Sequence, residues 1–517
     1  MRRDLVRLCN ELHDVIVVGG GVHGACAAWE AARRGLKVAL VEAGDFNQAT
    51  SSNSLRTLHG GLRHLQRLDL VNMRESVRER REWLRLAPAL TRPMRFVLPA
   101  HGRGAKSRLA LRTALWLYDL VSSDRNQEVP TEQQLPKGAM LGKAEFEALY
   151  PGLAARGYNG AATWYDGVCL DTERLQLAVV AAAVACGAQA ANYVRALRPL
   201  TEDTNIHGAR VRDELTGREM DLRAQLIINA AGPWIEDWLG IETPRETPVF
   251  RASKAFNLLV RKRPFRDALA LTAHHNTYFI VPWNGYSLIG TRHLRCDPTT
   301  RTAAVSREEV LEFLADLNPV LGEHRLDGAD VHGIFSGLVP ETAALPGQNV
   351  ALERTAQIID HKARGLGGVL SIVGVKWTTA RAVGERVARQ ACRRLGRTEQ
   401  SQPGKRRLDA LSAPSVVDPD PTLAARVVPD QPVTFAQIVQ AVRHEMAVRL
   451  SDIVRRRTSL YLSTMLDRSV LGSCAAAMAR ELRWTRRELA AEVDSAEAEL
   501  VAFRGPLQVD SRPATAA

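Results

Sequence analysis

Residues 14–42 read DVIVVGGGVHGACAAWEAARRGLKVALVE, and this stretch decides the fold. Asp14–Val18 is a short apolar run, the pattern of a buried parallel strand. Gly19, Gly21 and Gly24 follow as G-x-G-x-x-G, Ala25 to Arg34 is rich in small helix-forming residues, and Gly35 stands where a helix stops. Lys37–Val41 is a second apolar run, closed by Glu42. Strand, glycine turn, helix, strand and terminal acid make a complete βαβ unit in about 30 residues, the pattern of a dinucleotide site. Gly19 permits the tight turn, Gly21 lets backbone approach a pyrophosphate, and Gly24 lets the helix pack on the strand. The helix N-terminus supplies N–H groups and the positive end of its dipole. Glu42 lies at the offset that binds a ribose hydroxyl. An acid there disfavours a 2′-phosphate, which leaves FAD or NAD rather than NADP.

The next stretch favours FAD. Residues 45–65, DFNQATSSNSLRTLHGGLRHL, put a Ser/Thr-rich loop and a His-Gly-Gly turn after the second strand. A cofactor that runs on past its pyrophosphate has use for both. The hydroxyls of Thr50, Ser51 and Ser52 can bind phosphate or ribityl oxygens, and Gly60 and Gly61 allow backbone beside a flat ring. Further on, the apolar run Leu226–Ile228 ends in Asn229-Ala230-Ala231-Gly232-Pro233, where small side chains let backbone lie against a cofactor. Val369–Val373 reads as another strand. Gly374-Val375-Lys376 then leads into a helix expected from about Thr378 to Arg394. Its N-terminus is suited to the negative charge that builds at flavin N1 and C2=O on reduction.

The chain of 517 residues is long enough for two to four domains of about 100–200 residues each. With 45% hydrophobic and 24% charged residues it is an ordinary globular sequence. No apolar run approaches the roughly 18 residues of a membrane span, and the start lacks the order of a signal peptide. Seven scattered Cys without CxxC argue against a disulfide framework or a zinc site; no metal is expected, and a reducing cytoplasm is. Net charge is +12, with only nine Lys among 69 cations. The basic residues are spread out and no nucleic-acid motif appears, so no nucleic-acid partner is expected. Residues 395–430 read as a Pro-, Ser- and Asp-bearing linker, for example from Ala413 to Pro421. Beyond it Thr434 is placed to cap a helix with one apolar face, Trp484 to Phe503 reads as helix, and the tail after Gln508 reads as disordered.

The sequence resembles the FAD-dependent glycerol-3-phosphate dehydrogenases, within the D-amino-acid-oxidase-like flavoproteins. The resemblance is carried by the Gly19 fingerprint, Ala49-Thr50-Ser51-Ser52 and Leu58-His59-Gly60-Gly61-Leu62-Arg63. Pro93-Met94-Arg95-Phe96, Asn229 to Trp234, Pro282-Trp283, Gly290-Thr291 and Lys376-Trp377-Thr378-Thr379 follow in order. It implies an α/β fold: a Rossmann-like FAD-binding domain from 12–92, 166–242 and 346–395, and an inserted antiparallel β-sheet substrate domain from 93–165 and 243–345. A linker at 396–430 and a C-terminal α-helical domain at 431–508 complete it. It implies FAD held by Gly19, Gly21, Gly24, Glu42, Thr50, Ser51, Ser52, His59, Gly60, Gly61, Ala231, Gly232, Gly374, Lys376 and Thr378. The implied reaction oxidises an alcohol beside a phosphate.

Five positions depart from the family pattern. Val339 stands where a phosphate-binding Arg is expected, Lys254 where a His is, and His64 where a Tyr is; a Gly-Thr-Thr-Asp-type stretch reads Gly290-Thr291-Arg292-His293. The expectation is that Arg63, Arg292 and Arg354 hold the anionic end of the substrate, with Arg292 replacing the charge lost at Val339. His59 or Lys376 assists deprotonation of the hydroxyl. Residues 103–120, RGAKSRLALRTALWLYDL, form a basic amphipathic helix with aromatic residues, of the kind that lies on anionic lipid. The expected partners are therefore a small phosphorylated polyol and a quinone or membrane surface, with a homodimer left open. The expected location is cytoplasmic, peripheral on the inner face of the cell membrane. Two alternatives remain: an FAD-dependent oxidase of the same fold acting on a hydroxy acid or amine, and a catalytically impaired flavoprotein.

Overall fold

Two sheets divide the chain. The computed structural model describes residues 1–507 except 103, 241–248, 263, 275, 297–301, 343–349, 400–407 and 409–420. Most of the expected linker and the tail after Gln508 thus lie outside the described residues, as does Arg103 of the amphipathic segment.

The first sheet runs in the order Gln357–Asp360, Val369–Val373, Glu219–Asn229, Leu12–Val18, Val38–Val41, Gln189–Ala191. Leu12–Val18 lies parallel between Glu219–Asn229 and Val38–Val41, and Val369–Val373 is parallel to Glu219–Asn229. The apolar runs 14–18, 38–41 and 369–373 are buried throughout, as strands covered on both faces must be. The helix Val22–Ala32 packs on this sheet, flanked by the helices Thr172–Ala185 and Ala380–Arg394. Its small residues Ala25, Ala27, Ala28 and Ala31 are fully buried, which permits the close approach of the other two helices.

The second sheet has nine strands, in the order Val331–Pro340, Ala252–Val260, Tyr286–Arg295, Asn276–Trp283, Ala268–Ala273, Thr91–Pro99, Ala161–Cys169, Thr57–Leu58, with Ala139–Leu141 beside Ala161–Cys169. It is antiparallel except where Ala268–Ala273 meets Thr91–Pro99. It takes in Thr57–Leu58 and the whole of Ala161–Cys169, so the division expected at 165/166 falls inside one strand. The C-terminal helices Phe435–His444, Arg468–Leu482 and Arg486–Arg504 form a bundle whose apolar side meets this sheet through Phe335, Tyr461 and Phe503. Thr434 begins the bundle with a capping box to Gln437, as its sequence suggests. Among the described residues no helix is long and apolar enough to cross a membrane.

Candidate active site

The glycine turn sits at the carboxyl edge of the parallel strands. Gly19 has φ +103°, and a Cβ there would stand 2.5 Å from the carbonyl oxygen of Ala230; one on Gly24 would collide with the carbonyl of Gly19. Neither position admits a side chain. At Gly21 a Cβ would meet only Ser51 Oγ, at 3.2 Å, and at Gly232, on the adjoining strand end, nothing within 4 Å. The turn is therefore closed where strand and helix touch and bare where a pyrophosphate would approach, so these residues fit a dinucleotide. Glu42 accepts hydrogen bonds from the backbone N–H of Gly20 (2.6 Å) and Gly44 (2.9 Å), and burial pushes its carboxyl up.

The hydroxyl loop is tied to protein. Ser51 Oγ accepts from Val22 N at 3.0 Å, and Ser52 Oγ donates to Ala49 O at 3.0 Å. Thr50 Oγ1 donates to Leu338 O (3.0 Å) and accepts from Leu338 N (3.1 Å), pinning the loop to the edge strand of the second sheet. Gly337 leaves room for Thr50, since a Cβ there would lie 2.9 Å from its Cα.

Thr378, two residues after Lys376, ties the His59 backbone to that turn. Thr378 Oγ1 accepts from His59 N at 3.2 Å, and its carbonyl accepts from Trp83 Nε1 at 2.8 Å. The His59 ring lies against Phe96 and Phe279, and its Nδ1 is 3.2 Å from Asp166 Oδ2. Asp166 also accepts from Gly60 N (2.8 Å), Trp164 Nε1 (3.2 Å) and Arg80, whose guanidinium in turn donates to Tyr118 Oη at 2.6 Å. Asp166 is buried, and although burial opposes its ionisation, His59, Arg80 and the Gly60 N–H hold its carboxyl below the usual range. A Cβ on Gly60 would strike Tyr118 Oη and Arg80, so a side chain there would displace this hydrogen-bonded pair.

Lys376 Nζ lies 2.8 Å from His64 Nε2, and His64 Nδ1 lies 3.3 Å from Asp69 Oδ2. Burial lowers both Lys376 and His64, and the charge of Arg63 pushes each further down. Arg63 also bears on His293, which burial brings down to about 4 and whose Nδ1 has no hydrogen-bond partner. The turn before Lys376 abuts the glycine-turn helix, because a Cβ on Gly374 would run into the His23 ring. Arg354 is exposed, beside Thr355, which shares a hydrogen bond with Asn72 on the helix Leu70–Leu86.

Two expected cations are turned the other way. Cross-strand partners in the second sheet place Ser253, Ala255, His293, Gly337 and Val339 on one face, toward Thr50 and Arg63. Lys254, Phe256, Arg292 and Leu338 fall on the other face, beneath the helix Arg307–Leu321. There Lys254 Nζ is 2.5 and 2.7 Å from the oxygens of Glu309. Arg292 sits over the Phe313 ring with Asp316 and Glu312 each at 3.4 Å. Arg292 is thus a fastening between sheet and helix, and does not replace the charge missing at Val339. His293, one residue on, faces the site. Asp166 and Asp69 are absent from the sequence-based expectations. Asp166 carries a signal that could have found it, an acid in the otherwise uncharged run Ala161–Cys169; Asp69 carries none.

The helix Arg108–Val121 buries Leu111, Leu115 and Tyr118 and exposes Leu109, Trp116 and Leu120, with Arg108 and Arg112 exposed beside them. Leu68 and Val71, exposed by 73% and 82%, precede and open the neighbouring helix, which Arg74 ties to Val121 O and Asp124. Tyr118 makes this same helix part of the Arg80–Asp166–His59 chain.

A parallel-sheet glycine turn, a second sheet pinned to its hydroxyl loop, and a histidine and lysine held between them define a dinucleotide-dependent oxidoreductase. Residues 14–390 match the FAD dependent oxidoreductase family, so the chain belongs to that family and FAD is its cofactor. Residues 406–489 match the C-terminal domain of alpha-glycerophosphate oxidase. A glycerol-3-phosphate dehydrogenase of Synechocystis is 30% identical over 89% of this chain and 91% of its own length. One of Mycobacterium leprae is 33% identical over 73% of this chain, which spans 62% of that longer protein. The structure of the Bacillus halodurans glycerol-3-phosphate dehydrogenase complexed with FAD shares the fold, with TM-score 0.69 over 97% of both chains at 22% identity.

Proposed function

We propose that this enzyme oxidises glycerol 3-phosphate, or a closely related phosphorylated polyol, and passes the electrons to a quinone at a membrane surface. The observation that carries the reading is the gathering of Arg63, His64, His293 and Lys376. A buried dianion needs paired cations and donors. Arg63 supplies a fixed charge, and His293 supplies an unpartnered ring nitrogen aimed from the sheet. The names of the relatives point to the same substrate. FAD, when bound, supplies the acceptor for hydride. The chain's own residues orient the alcohol and take its proton: Lys376 has the lowered affinity for protons that such a role requires, and Asp166 fixes the orientation of His59. The exposed basic and aromatic side of the helix Arg108–Val121 supports attachment to the inner face of the membrane.

One observation favours a second reading. With Arg292 and Lys254 turned beneath the helix, and Val339 on the site face, the pocket holds fewer cations than a phosphate dianion usually receives. A carboxylate needs less, which suits a hydroxy acid or amine. Anaerobic mixing of the yellow enzyme with glycerol 3-phosphate, other phosphorylated polyols, hydroxy acids and amines separates the two. Bleaching by glycerol 3-phosphate ahead of the carboxylates is the expected outcome; bleaching only by a carboxylate refutes the phosphate reading.

A further inference from the structure

His64 stands where the resemblance leads one to expect Tyr, and the structure gives it a partner on each ring nitrogen. Its Nε2 is 2.8 Å from Lys376 Nζ and its Nδ1 is 3.3 Å from Asp69 Oδ2. Asp69 is itself fixed, since it caps the helix Leu70–Leu86 by accepting from Asn72 N (3.2 Å) and Asn72 Nδ2 (2.7 Å). Accessibility rises along the row, from a His64 side chain 14% exposed to an Asp69 side chain 29% exposed. A carboxylate at Nδ1 selects the tautomer with its proton there and leaves Nε2 as an acceptor facing Lys376. A tyrosine hydroxyl at this position would have one oxygen to offer and no second nitrogen through which a proton could leave.

We infer that Lys376, His64 and Asp69 form a proton relay from the substrate hydroxyl to solvent, with His64 as the carrier. The inference rests on the reading that an alcohol is oxidised at this site. Its balance is simple. The electron pair leaves the substrate with the C–H hydrogen, as hydride to the cofactor. The O–H bond breaks and its proton goes to the neutral Lys376 amine. Lys376 then gives a proton to His64 Nε2, and His64 releases the proton on Nδ1 to Asp69 and water. The lysine is neutral again, and the imidazole regains its starting tautomer by exchange with water. Of the groups bearing on the row, burial and Arg63 loosen the protons of Lys376 and His64, while Glu75 and Asp69 oppose them. Lys376 feels Arg63 lowering it against Glu75 and Asp69 raising it, with burial the largest effect; His64 feels burial, Lys376 and Arg63 lowering it against Asp69 raising it. Both groups therefore hold protons loosely on the site side, and Asp69 draws them outward.

A bond that merely steadies the loop would look the same in a static structure, so the test needs readouts that only a carrier moves. In His64→Gln the side chain keeps a hydrogen-bonding oxygen but cannot take up and release a proton. With glycerol 3-phosphate under anaerobic conditions its flavin reduction should slow by roughly tenfold or more at neutral pH, with a larger solvent deuterium effect, and added imidazole should restore the rate. An unchanged rate, pH profile and isotope effect overturn the relay. The second readout needs no substrate. In FAD-loaded enzyme labelled at the histidine rings, the His64 resonance (assigned by its loss in His64→Gln) should change its titration in Lys376→Met, where the amine that meets Nε2 is gone. It should titrate lower in Asp69→Asn. Indifference to both substitutions overturns the inference. If His64 responds to both while glycerol 3-phosphate bleaches nothing, the substrate reading fails and the relay stands.

Discussion

Asp45 joins the cofactor loop to the C-terminal bundle, and its replacement by Asn should loosen both. The carboxylate is fully buried and receives four N–H groups: Arg457 Nη1 at 2.7 Å and Nη2 at 2.9 Å, Arg456 Nε at 2.8 Å and Asn192 Nδ2 at 2.9 Å. The two arginines lie on the irregular turn Ile453–Arg457 of the C-terminal bundle, while Asp45 lies three residues after Glu42. Breaking a buried ion pair from one side leaves a charge without compensation and costs about 3–5 kcal/mol. The lower end applies here, because a second acid is at hand. Asp452 accepts from Arg456 Nη2 at 2.8 Å, and burial, then repulsion by Asp45, pushes its own carboxyl up. Once Asp45 is neutral, Asp452 ionises more readily and compensates part of the loss. Asp45→Asn should therefore lower stability by about 3 kcal/mol at pH 7, read as an earlier urea midpoint, with the C-terminal helices cut faster by protease and FAD released sooner. The pH dependence has a definite sign. The arginines hold the folded carboxyl well below its ordinary value, so its stabilisation is present above about pH 4 and fades as pH falls further. The gap between wild type and Asp45→Asn should shrink accordingly below about pH 4. Equal urea midpoints at pH 7, with equal protease resistance, would refute the claim that this carboxylate holds the bundle to the cofactor loop.

Three further outcomes are expected. Glu42→Arg removes the acceptor for the Gly20 and Gly44 N–H groups and puts a cation at the ribose position, so the purified variant should lose its yellow colour; full flavin occupancy would refute the placement of the adenosine. Reversing charge at Arg108 and Arg112 should release the protein from anionic vesicles, most clearly at low salt, and sedimentation equal to wild type would end the membrane assignment of that helix. Arg292→Ala should leave KM for the true substrate within about twofold of wild type, because Arg292 faces Glu312 and Asp316; Val339→Arg should instead change it strongly by adding charge on the site face. A large KM increase in Arg292→Ala would overturn the assignment of faces.

What was legible in the sequence was whatever chemistry is local. The glycine turn, its flanking strands and Glu42 lie within 29 consecutive residues, and each carries a backbone requirement that only certain residues meet. The strand Val369–Val373 and the cap at Thr434 were legible for the same reason. The site's charges were not, because each depends on which face of a strand a residue occupies, and a shift of one position reverses that. Arg292 and His293 differ by a single step. The sequence offers no way to know that Phe313, Glu312 and Asp316 lie over the first, or that Arg63 lies under the second. Lys254 is settled likewise by Glu309, 55 residues away. Asp45 lies 411 and 412 residues from its arginines, so only folding brings them together. The consequence for function is that substitutions at family positions cannot be read as exchanges of charge in place. Arg292, the cation expected to stand in at Val339, lies on the other side of the sheet. On the side of Val339 stands His293, whose Nδ1 has no hydrogen-bond partner and whose ring feels Arg63.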